Sequence, residues 1–281
     1  MDSLEVGESI RRTSALAAAE EYMCRDYMHP FETSQQDFHV RGGNSLLVDA
    51  IVKTLPPSSV LTERCVDAVT QSSEGLKITA GSEVFSAEAC VCAIPASVLN
   101  RIAFHPSLPA DQSAAAEELQ YARITKTQML FSRRFWPAED FSLLTDRIAH
   151  QFFHTTLAQP GQRGILCNYS TGDKADVIAA QSDAGRERLL LADLAGVPGA
   201  DCAQLLATVC MPWQRDELTA GAYAVYGPGE ISRIRPLLRQ PHGCIAFAGD
   251  HLGDDHGYME GAVASGEAAA HWLMQRNGSH T

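Results

Sequence analysis

The stretch best suited to ligand chemistry lies near the C-terminal end of the 281-residue chain. A strand predicted over residues 244–247 ends in Ala248-Gly249, and a loop then leads to a helix predicted over residues 261–275. Glycine at the strand end lets the backbone approach a ligand where a Cβ atom would clash. The small residues at the helix start let its N–H groups point at a bound group with negative charge. The alternative is a tightly packed helix whose small residues face a sheet.

The loop between this strand and helix contains possible metal ligands: His251, Asp254, Asp255 and His256. Four such residues in one short polar loop are more typical of a solvated turn than of a metal site. The sequence therefore predicts no metal. It also contains no nucleophile elbow and no Ser-His-Asp order.

Four stretches of the chain resemble the flavin-containing amine oxidases, the family of monoamine, polyamine and L-amino acid oxidases. The resemblance runs from about His39 to Trp272, with only general likeness over residues 140–205. The C-terminal stretch is the most specific, because FAGD, GYMEGA and SGEAAA follow one another in order. The four stretches are HVRGGNSLLVDAI, ITKTQMLFSRRFW, MPWQRDELTAGAYAVYGPGE and GCIAFAGDHLGDDHGYMEGAVASGEAAAHW.

The resemblance implies a catalytic role for Lys126, which in the family lies near the flavin N5 atom and holds a water there. Lys126 is in the middle of a predicted strand, where most lysines are simply solvated. Its spacing to Phe135-Trp136 matches the family pattern and favours the catalytic interpretation.

The resemblance also assigns Tyr223 and Tyr258 to the two aromatic positions that flank the substrate nitrogen. Electron-rich rings can align a neutral amine and can also hold a cation. Two ordinary core or interface tyrosines are the alternative.

The implied cofactor is FAD, bound without a covalent link, because Ala222 lies where monoamine oxidases carry the flavin-linked cysteine. The backbone of Val66 corresponds to a position that meets the adenine ring, and an ordinary strand valine is the alternative. The predicted cofactor-binding residues are Val66, Trp213, Gly249, Asp250, Tyr258, Met259, Gly261 and Ala262.

These residues lie on predicted helices and strands, and together those elements indicate a mixed α/β (α+β) fold. An incomplete Rossmann-like FAD-binding domain is expected to interleave with a substrate domain of mixed sheet and helices. The expected division is a substrate-domain helix at 1–38, part of the FAD-binding domain at 39–100, the substrate-binding domain at 101–208 and the rest of the FAD-binding domain at 209–281.

Composition narrows the range of partners. A chain that is 45% hydrophobic and 20% charged can bury a large core. Its net charge of −12, without a basic run, argues against nucleic acid and anionic membranes and favours a small-molecule ligand. The sequence shows no signal segment or membrane span, so we expect a cytoplasmic protein whose cysteines are free buried thiols.

The sequence lacks the strand–G-x-G-x-x-G–helix segment whose helix N-terminus receives the pyrophosphate in this family. We therefore expect poor FAD binding by the chain alone and a partner chain that carries this segment. An inactive fragment and a non-catalytic binding module are the alternatives. The apolar strands at 244–247 and 89–94 are expected to lie uncovered without the partner.

The substrate class stays open between an amine and an L-amino acid. An amino acid needs a cation for its carboxylate, for which the candidates are Arg123, Arg147, Arg163 and Arg215.

Overall fold

The fold comes from a computed structural model that describes residue 8, residues 11–17, residue 19, residues 40–157 and residues 159–278. The helix predicted near the N-terminus falls mostly outside these residues, as does most of the segment assigned to 1–38. The mixture of helices with parallel and antiparallel strands confirms the predicted mixed α/β class.

A four-stranded sheet holds β1 (Ala68–Ser72), β2 (Gly75–Ala80), β3 (Glu83–Ala87) and β5 (Ala103–His105), in the order β3-β2-β1-β5. The first three strands form an antiparallel meander, and β5 runs parallel to β1. The apolar and β-branched residues from Val60 to Val69 predict a strand over that whole stretch, but most of it is not a strand. Pairing starts only at Ala68, where Thr79 and Ala103 face it, and residues 60–65 are exposed.

A five-stranded antiparallel sheet forms the second layer, in the order β11-β7-β10-β9-β8. One of its faces packs against two helices, α4 (Gly172–Ala179) and α5 (Asp183–Leu194), around buried Phe152, Leu166 and Leu190. The strands are β7 (Ile124–Phe131), β8 (Ser142–Leu144), β9 (Gln151–His154), β10 (Gly164–Thr171) and β11 (Leu205–Pro212).

Two small strand pairs join distant parts of the chain. β6 (Gln120–Tyr121) pairs antiparallel with β12 (Ala224–Val225), and β4 (Cys90–Cys92) pairs parallel with β13 (Ile245–Phe247). The remaining helices are α1 (Ser45–Thr54), α2 (Ala96–Leu99), α3 (Ala110–Glu118), α6 (Glu230–Leu238) and α7 (Met259–Gly278).

The expectation that β4 and β13 lie uncovered is wrong. All three residues of β13 are buried and those of β4 are half-buried, because the largest apolar cluster packs against them. The uncovered apolar surface is instead on α1, which has no buried residue.

Seven cysteines among the described residues are free thiols, as predicted, but only Cys167 of these is buried. Cys65 and Cys202 are exposed, and the other four are half-buried. None of the described helices combines the length and the apolar character needed to cross a bilayer.

Candidate functional site

Strand β7 presents two faces with different surroundings. Thr125, Thr127 and Met129 are buried on the face toward α4, where the Thr125 hydroxyl donates to the carbonyl oxygen of Ala175 at 2.9 Å. Side chains alternate along a strand, so Lys126 and its i+2 neighbours lie on the opposite, half-buried face. The predicted catalytic lysine thus occupies the accessible side of the five-stranded sheet.

Tyr169 is the direct neighbour of Lys126 across the sheet. The strand register pairs Lys126 with Tyr169 on β10 and with Met211 on β11. The Lys126 Nζ atom lies 5.2 Å from the centroid of the Tyr169 ring, a distance at which an ammonium is attracted to the ring face.

Tyr169 connects the lysine to Tyr223, one of the predicted substrate tyrosines. The two tyrosine hydroxyl oxygens are 3.2 Å apart, and either can donate. Both residues belong to one apolar cluster, which also includes Trp213 and Ala222. The backbone of Tyr223 is held in place because its carbonyl accepts from the N–H of Ala122 at 2.8 Å.

The loop that carries Tyr258 lies against Tyr223. A Cβ atom on Gly257 would be 3.5 Å from ring atoms of Tyr223, and Gly257 has a φ of +82°. Glycine adopts this backbone conformation at little cost, which lets the loop turn directly beside the ring. The fold therefore brings Lys126, Tyr223 and the Tyr258 loop to one place.

Sequence reasoning missed Tyr169. It lies in the part of the chain where the resemblance was only general, and a tyrosine in a strand is common. Only its register opposite Lys126 identifies it, and register is a property of the folded sheet.

Asp250 and His251 follow β13 after Ala248 and Gly249. Burial raises the pKa of the Asp250 carboxyl, against the effect of backbone N–H groups that include those of Ala224 and Gly257. These two amides belong to the loops that carry Tyr223 and Tyr258. Asp250 therefore interacts with both tyrosine-bearing loops.

Two polar atoms of this pair are buried without a hydrogen-bond partner among the residues that the structure describes: Asp250 Oδ2 and His251 Nδ1. Burial also lowers the pKa of His251 from 6.5 to about 4, so its imidazole is neutral near pH 7. Buried polar groups are normally hydrogen-bonded. The end of β13 is therefore a corner with unused hydrogen-bonding capacity.

The glycines near this corner have a packing role in the loop itself. The space beside Gly249 is filled by the His251 ring, and a Cβ atom on Gly261 would lie 2.0 Å from the carbonyl oxygen of Asp255. Gly253 in turn lies close to the Gly261 backbone, because a Cβ atom added to Gly253 would be 2.6 Å from the Gly261 Cα atom. Internal packing between the loop and α7 thus accounts for glycine at these positions, and contact of Gly249 and Gly261 with the cofactor stays a prediction.

The remaining predicted cofactor residues occupy separate places. Val66 is half-buried against the largest apolar cluster, just before β1. Trp213 opens a short 3-10 helix, Trp213–Arg215, at the end of β11. Met259 is 68% exposed at the first turn of α7, and Ala262 follows it half-buried.

Three of the four arginines expected as carboxylate ligands have other partners. Arg123 pairs with Glu8, Asp173 and Asp176 at 2.9, 2.9 and 2.6 Å. Arg147 pairs with Asp193 at 2.5 Å. Arg215 donates to the Ala179 carbonyl, and Arg163 is exposed.

No group of three or more His, Cys, Asp or Glu side chains in the described part of the chain is arranged to hold a metal ion. His251 and His256 have other surroundings. His251 is 4% exposed, and the ring of His256 packs edge-on against Tyr226 at 5.2 Å.

Comparison with known proteins finds a matching family model and relatives of similar sequence. The family model described as flavin containing amine oxidoreductase matches residues 8–273. Flavin-containing amine oxidase A of Canis lupus familiaris is 27% identical over 245 residues, which are 84% of this chain and 46% of that protein. The L-amino-acid oxidase of Siganus canaliculatus is 25% identical over 278 residues, covering 94% of this chain and 52% of that protein.

Solved structures share the fold. Cyclohexylamine oxidase from Brevibacterium oxydans IH-35A superimposes with a TM-score of 0.75 at 24% identity, covering 83% of this chain and 53% of that one. A putrescine oxidase bound to putrescine gives a TM-score of 0.75 at 22% identity, again with 53% of its chain covered. The chain spans about half the length of these relatives.

Proposed function

The chain belongs to the flavin-containing amine oxidoreductase family, and from this premise we propose that it forms the substrate-binding part of an FAD-dependent oxidase that converts an amine to the imine, with oxygen as the electron acceptor. The observation that carries the proposal is the contact series from Lys126 through Tyr169 and Tyr223 to the loop of Tyr258. It gathers a cation and aromatic rings on one half-buried face.

FAD fits the residues present. The unpartnered Asp250 Oδ2 and His251 Nδ1 atoms offer hydrogen bonds to a polar ligand at the end of β13. We propose that this corner and the start of α7 contribute to holding the cofactor, together with Val66 and Trp213. Ala222 has no sulfur, so the cofactor would be non-covalent. When bound, FAD supplies the electron acceptor for oxidation of the substrate carbon–nitrogen bond.

The chain's own residues would bind and orient the amine. The rings of Tyr223 and Tyr258 supply electron-rich surfaces for the substrate nitrogen. The Tyr169 hydroxyl fixes the Tyr223 hydroxyl. The ammonium of Lys126 repels a protonated amine, because like charges at short range disfavour each other. Lys126 therefore favours the neutral amine, whose nitrogen lone pair is available for oxidation, and it can donate to a nearby water.

The partners of three of the four candidate arginines favour an amine over an amino acid. Arg123 is compensated by three carboxylates, and Arg147 by Asp193. Arg215 already donates to a backbone carbonyl. An amino acid substrate would need a cation free to pair with its carboxylate.

The test is reconstitution. The purified chain is mixed with FAD, with and without a polypeptide that carries the G-x-G-x-x-G segment, and hydrogen peroxide is measured with cyclohexylamine, putrescine and an L-amino acid. We expect peroxide from an amine only in the reconstituted mixture, and a colourless or weakly yellow chain alone. Peroxide from the amino acid alone would reject the amine substrate. Flavin bound without turnover of any of the three compounds would reject the oxidase function.

A further inference from the structure

The side chain of Gln214 ties the short 3-10 helix at the end of β11 to strand β7 and helix α4. Its amide nitrogen donates to the Thr125 hydroxyl and to the Asp176 carboxylate, both at 3.1 Å. Thr125 directly precedes Lys126 in the chain, and Gln214 directly follows Trp213. One amide group therefore joins the chain neighbours of two residues that are assigned to the site.

The orientation of this amide is fixed by its two acceptors. The Thr125 hydroxyl donates its own hydrogen to the Ala175 carbonyl at 2.9 Å, so its oxygen accepts from Gln214. The other acceptor, Asp176, is held in turn by Arg123, which donates to its second carboxylate oxygen at 2.6 Å. Hydrogen bonds to an ionised carboxylate are stronger than those between neutral groups. The amide of Gln214 is therefore held firmly in one direction.

Trp213 carries the effect of this anchor to the candidate site. Its side chain packs in the same apolar cluster as Tyr169 and Tyr223. The turn that follows closes on Trp213 itself, because the Trp213 carbonyl accepts from the Asp216 N–H at 3.2 Å. A 3-10 turn has poorer hydrogen-bond geometry than an α-helix, so a side-chain anchor contributes more to its orientation. Rotation of this turn would move Trp213 against both tyrosines.

Packing alone does not account for a glutamine at position 214. Its Oε1 atom is buried and has no hydrogen-bond partner within the described part of the chain. A buried oxygen without a partner destabilises a fold, whereas a methionine of similar length would bury no such atom. The two donated hydrogen bonds are therefore the property that distinguishes Gln214 from an apolar residue at this position.

From these contacts we propose that Gln214, held by Asp176, is a positioning residue that sets the orientation of Trp213 beside Tyr223 and thereby aligns the amine. The part of this inference that concerns the amine rests on the proposed function. Gln214 acts through Trp213 and does not itself hold the substrate.

The experiment compares Gln214→Met with the unchanged full chain. Methionine keeps an unbranched side chain of similar length and removes both hydrogen-bond donors. Gln204→Met is the matched control, because Gln204 is an exposed glutamine just before β11. Fluorotryptophan is incorporated into each protein, and fluorine NMR of the lone chain records its three tryptophans separately. The signal that disappears in Trp213→Phe is assigned to Trp213.

We expect Gln214→Met to shift or split the Trp213 signal and to leave the signals of Trp136 and Trp272 unchanged. The control variant should change none of the three. In the enzyme reconstituted with FAD, kcat should decrease at least about fivefold with a smaller change in KM, because the rings still bind the amine but no longer align it. A folded Gln214→Met chain with an unchanged Trp213 signal would overturn the proposal.

A second pair of variants keeps the test decisive if Gln214→Met does not fold. Asp176→Asn retains an oxygen that can accept from Gln214, and Asp176→Leu does not. Arg123 keeps Glu8 and Asp173 as ionic partners in both variants. We expect the Trp213 signal to move in the leucine variant and to stay near its original position in the asparagine variant. The same signal in both variants would contradict the role of Asp176 and Gln214.

The two readouts separate positioning from catalysis. A Trp213 signal that moves in Gln214→Met, in a reconstituted protein that oxidises no amine, would support the positioning of Trp213 and reject the oxidase function. Turnover of an amine at the same kcat by Gln214→Met and Gln204→Met would support the oxidase function and reject the alignment of the amine by Gln214.

Discussion

The hydroxyl oxygens of Tyr169 and Tyr223 lie 3.2 Å apart, although the two residues are 54 positions apart in the chain. Tyr169 extends from β10 and Tyr223 from the segment before β12. Their hydrogen bond joins the lysine-bearing sheet to the loop region that completes the candidate site, so it offers a direct test of whether the two parts act together.

Replacement of Tyr169 by phenylalanine should therefore weaken catalysis without unfolding the protein. The ring and its contact with Lys126 remain, while one hydrogen bond worth about 1 kcal/mol is lost, which corresponds to a roughly fivefold decrease in kcat/KM. Steady-state kinetics of the reconstituted enzyme measure the change. Tyr223→Phe removes the same bond from the other side, so the double variant should show clearly less than the sum of the two losses. Additive losses would mean that the bond does not couple the residues.

Lys126→Met should leave FAD bound while slowing turnover about tenfold or more, equivalent to loss of roughly 1.4 kcal/mol of transition-state stabilisation. Methionine keeps an unbranched chain of similar length but removes the ammonium. Flavin absorbance measures retention of the cofactor, and oxygen consumption measures turnover. Lys77→Met is the matched control, because Lys77 is an exposed lysine on β2. Equal rates for both variants would return Lys126 to the role of a solvated strand residue.

Gly261→Ala should destabilise the protein by about 1–3 kcal/mol, the usual cost of forcing an added group into a packed site. Its new methyl group would lie 2.0 Å from the Asp255 carbonyl oxygen, and backbone cannot move aside cheaply. Gly266→Ala on the same helix is the control, since nothing lies within 4 Å of its Cβ position. That change should stabilise the helix by up to about 1 kcal/mol. Chemical denaturation of both variants measures the difference, and equal stabilities would contradict the packing described for the loop.

His251 should make the fold less stable in mild acid. Burial lowers the pKa of His251 from 6.5 to about 4. Between these two pH values the imidazole is therefore mostly protonated in the unfolded chain and mostly neutral in the folded chain. Stability is then full above pH 6.5 and falls as the pH decreases toward 4, by at most about 3 kcal/mol. The raised pKa of Asp250 acts in the opposite direction and reduces the net effect.

The comparison of thermal melting at pH 7 and pH 4.5 for the unchanged chain and for His251→Gln isolates this contribution. Glutamine does not titrate, so the variant should lose less stability between the two pH values. A loss equal to that of the unchanged chain would show that other groups cause the acid sensitivity.

The sequence alone determined the family and much of the local structure. Ordered stretches such as FAGD and GYMEGA identified the flavin-containing amine oxidoreductases, which the match over residues 8–273 confirms. Helix α1 and the strands β2 and β3 can also be predicted from the sequence, because Pro56-Pro57 ends the helix and turns at Gly75 and Gly81 bound β2. A residue in a family motif can be assigned from its neighbours in the sequence, without knowledge of its position in the tertiary structure.

Tertiary structure decided which side chains meet. Tyr169 joins the site through strand register with Lys126, and register depends on the pairing of β7 with β10, about 40 residues apart. The need for glycine at 249 and 261 also comes from the folded loop, because His251 and the Asp255 carbonyl occupy the space that a Cβ atom would take. The uncovered apolar surface lies on α1 and not on β4 and β13, because burial is set by what packs across from a segment, and an apolar pattern by itself does not specify its neighbour.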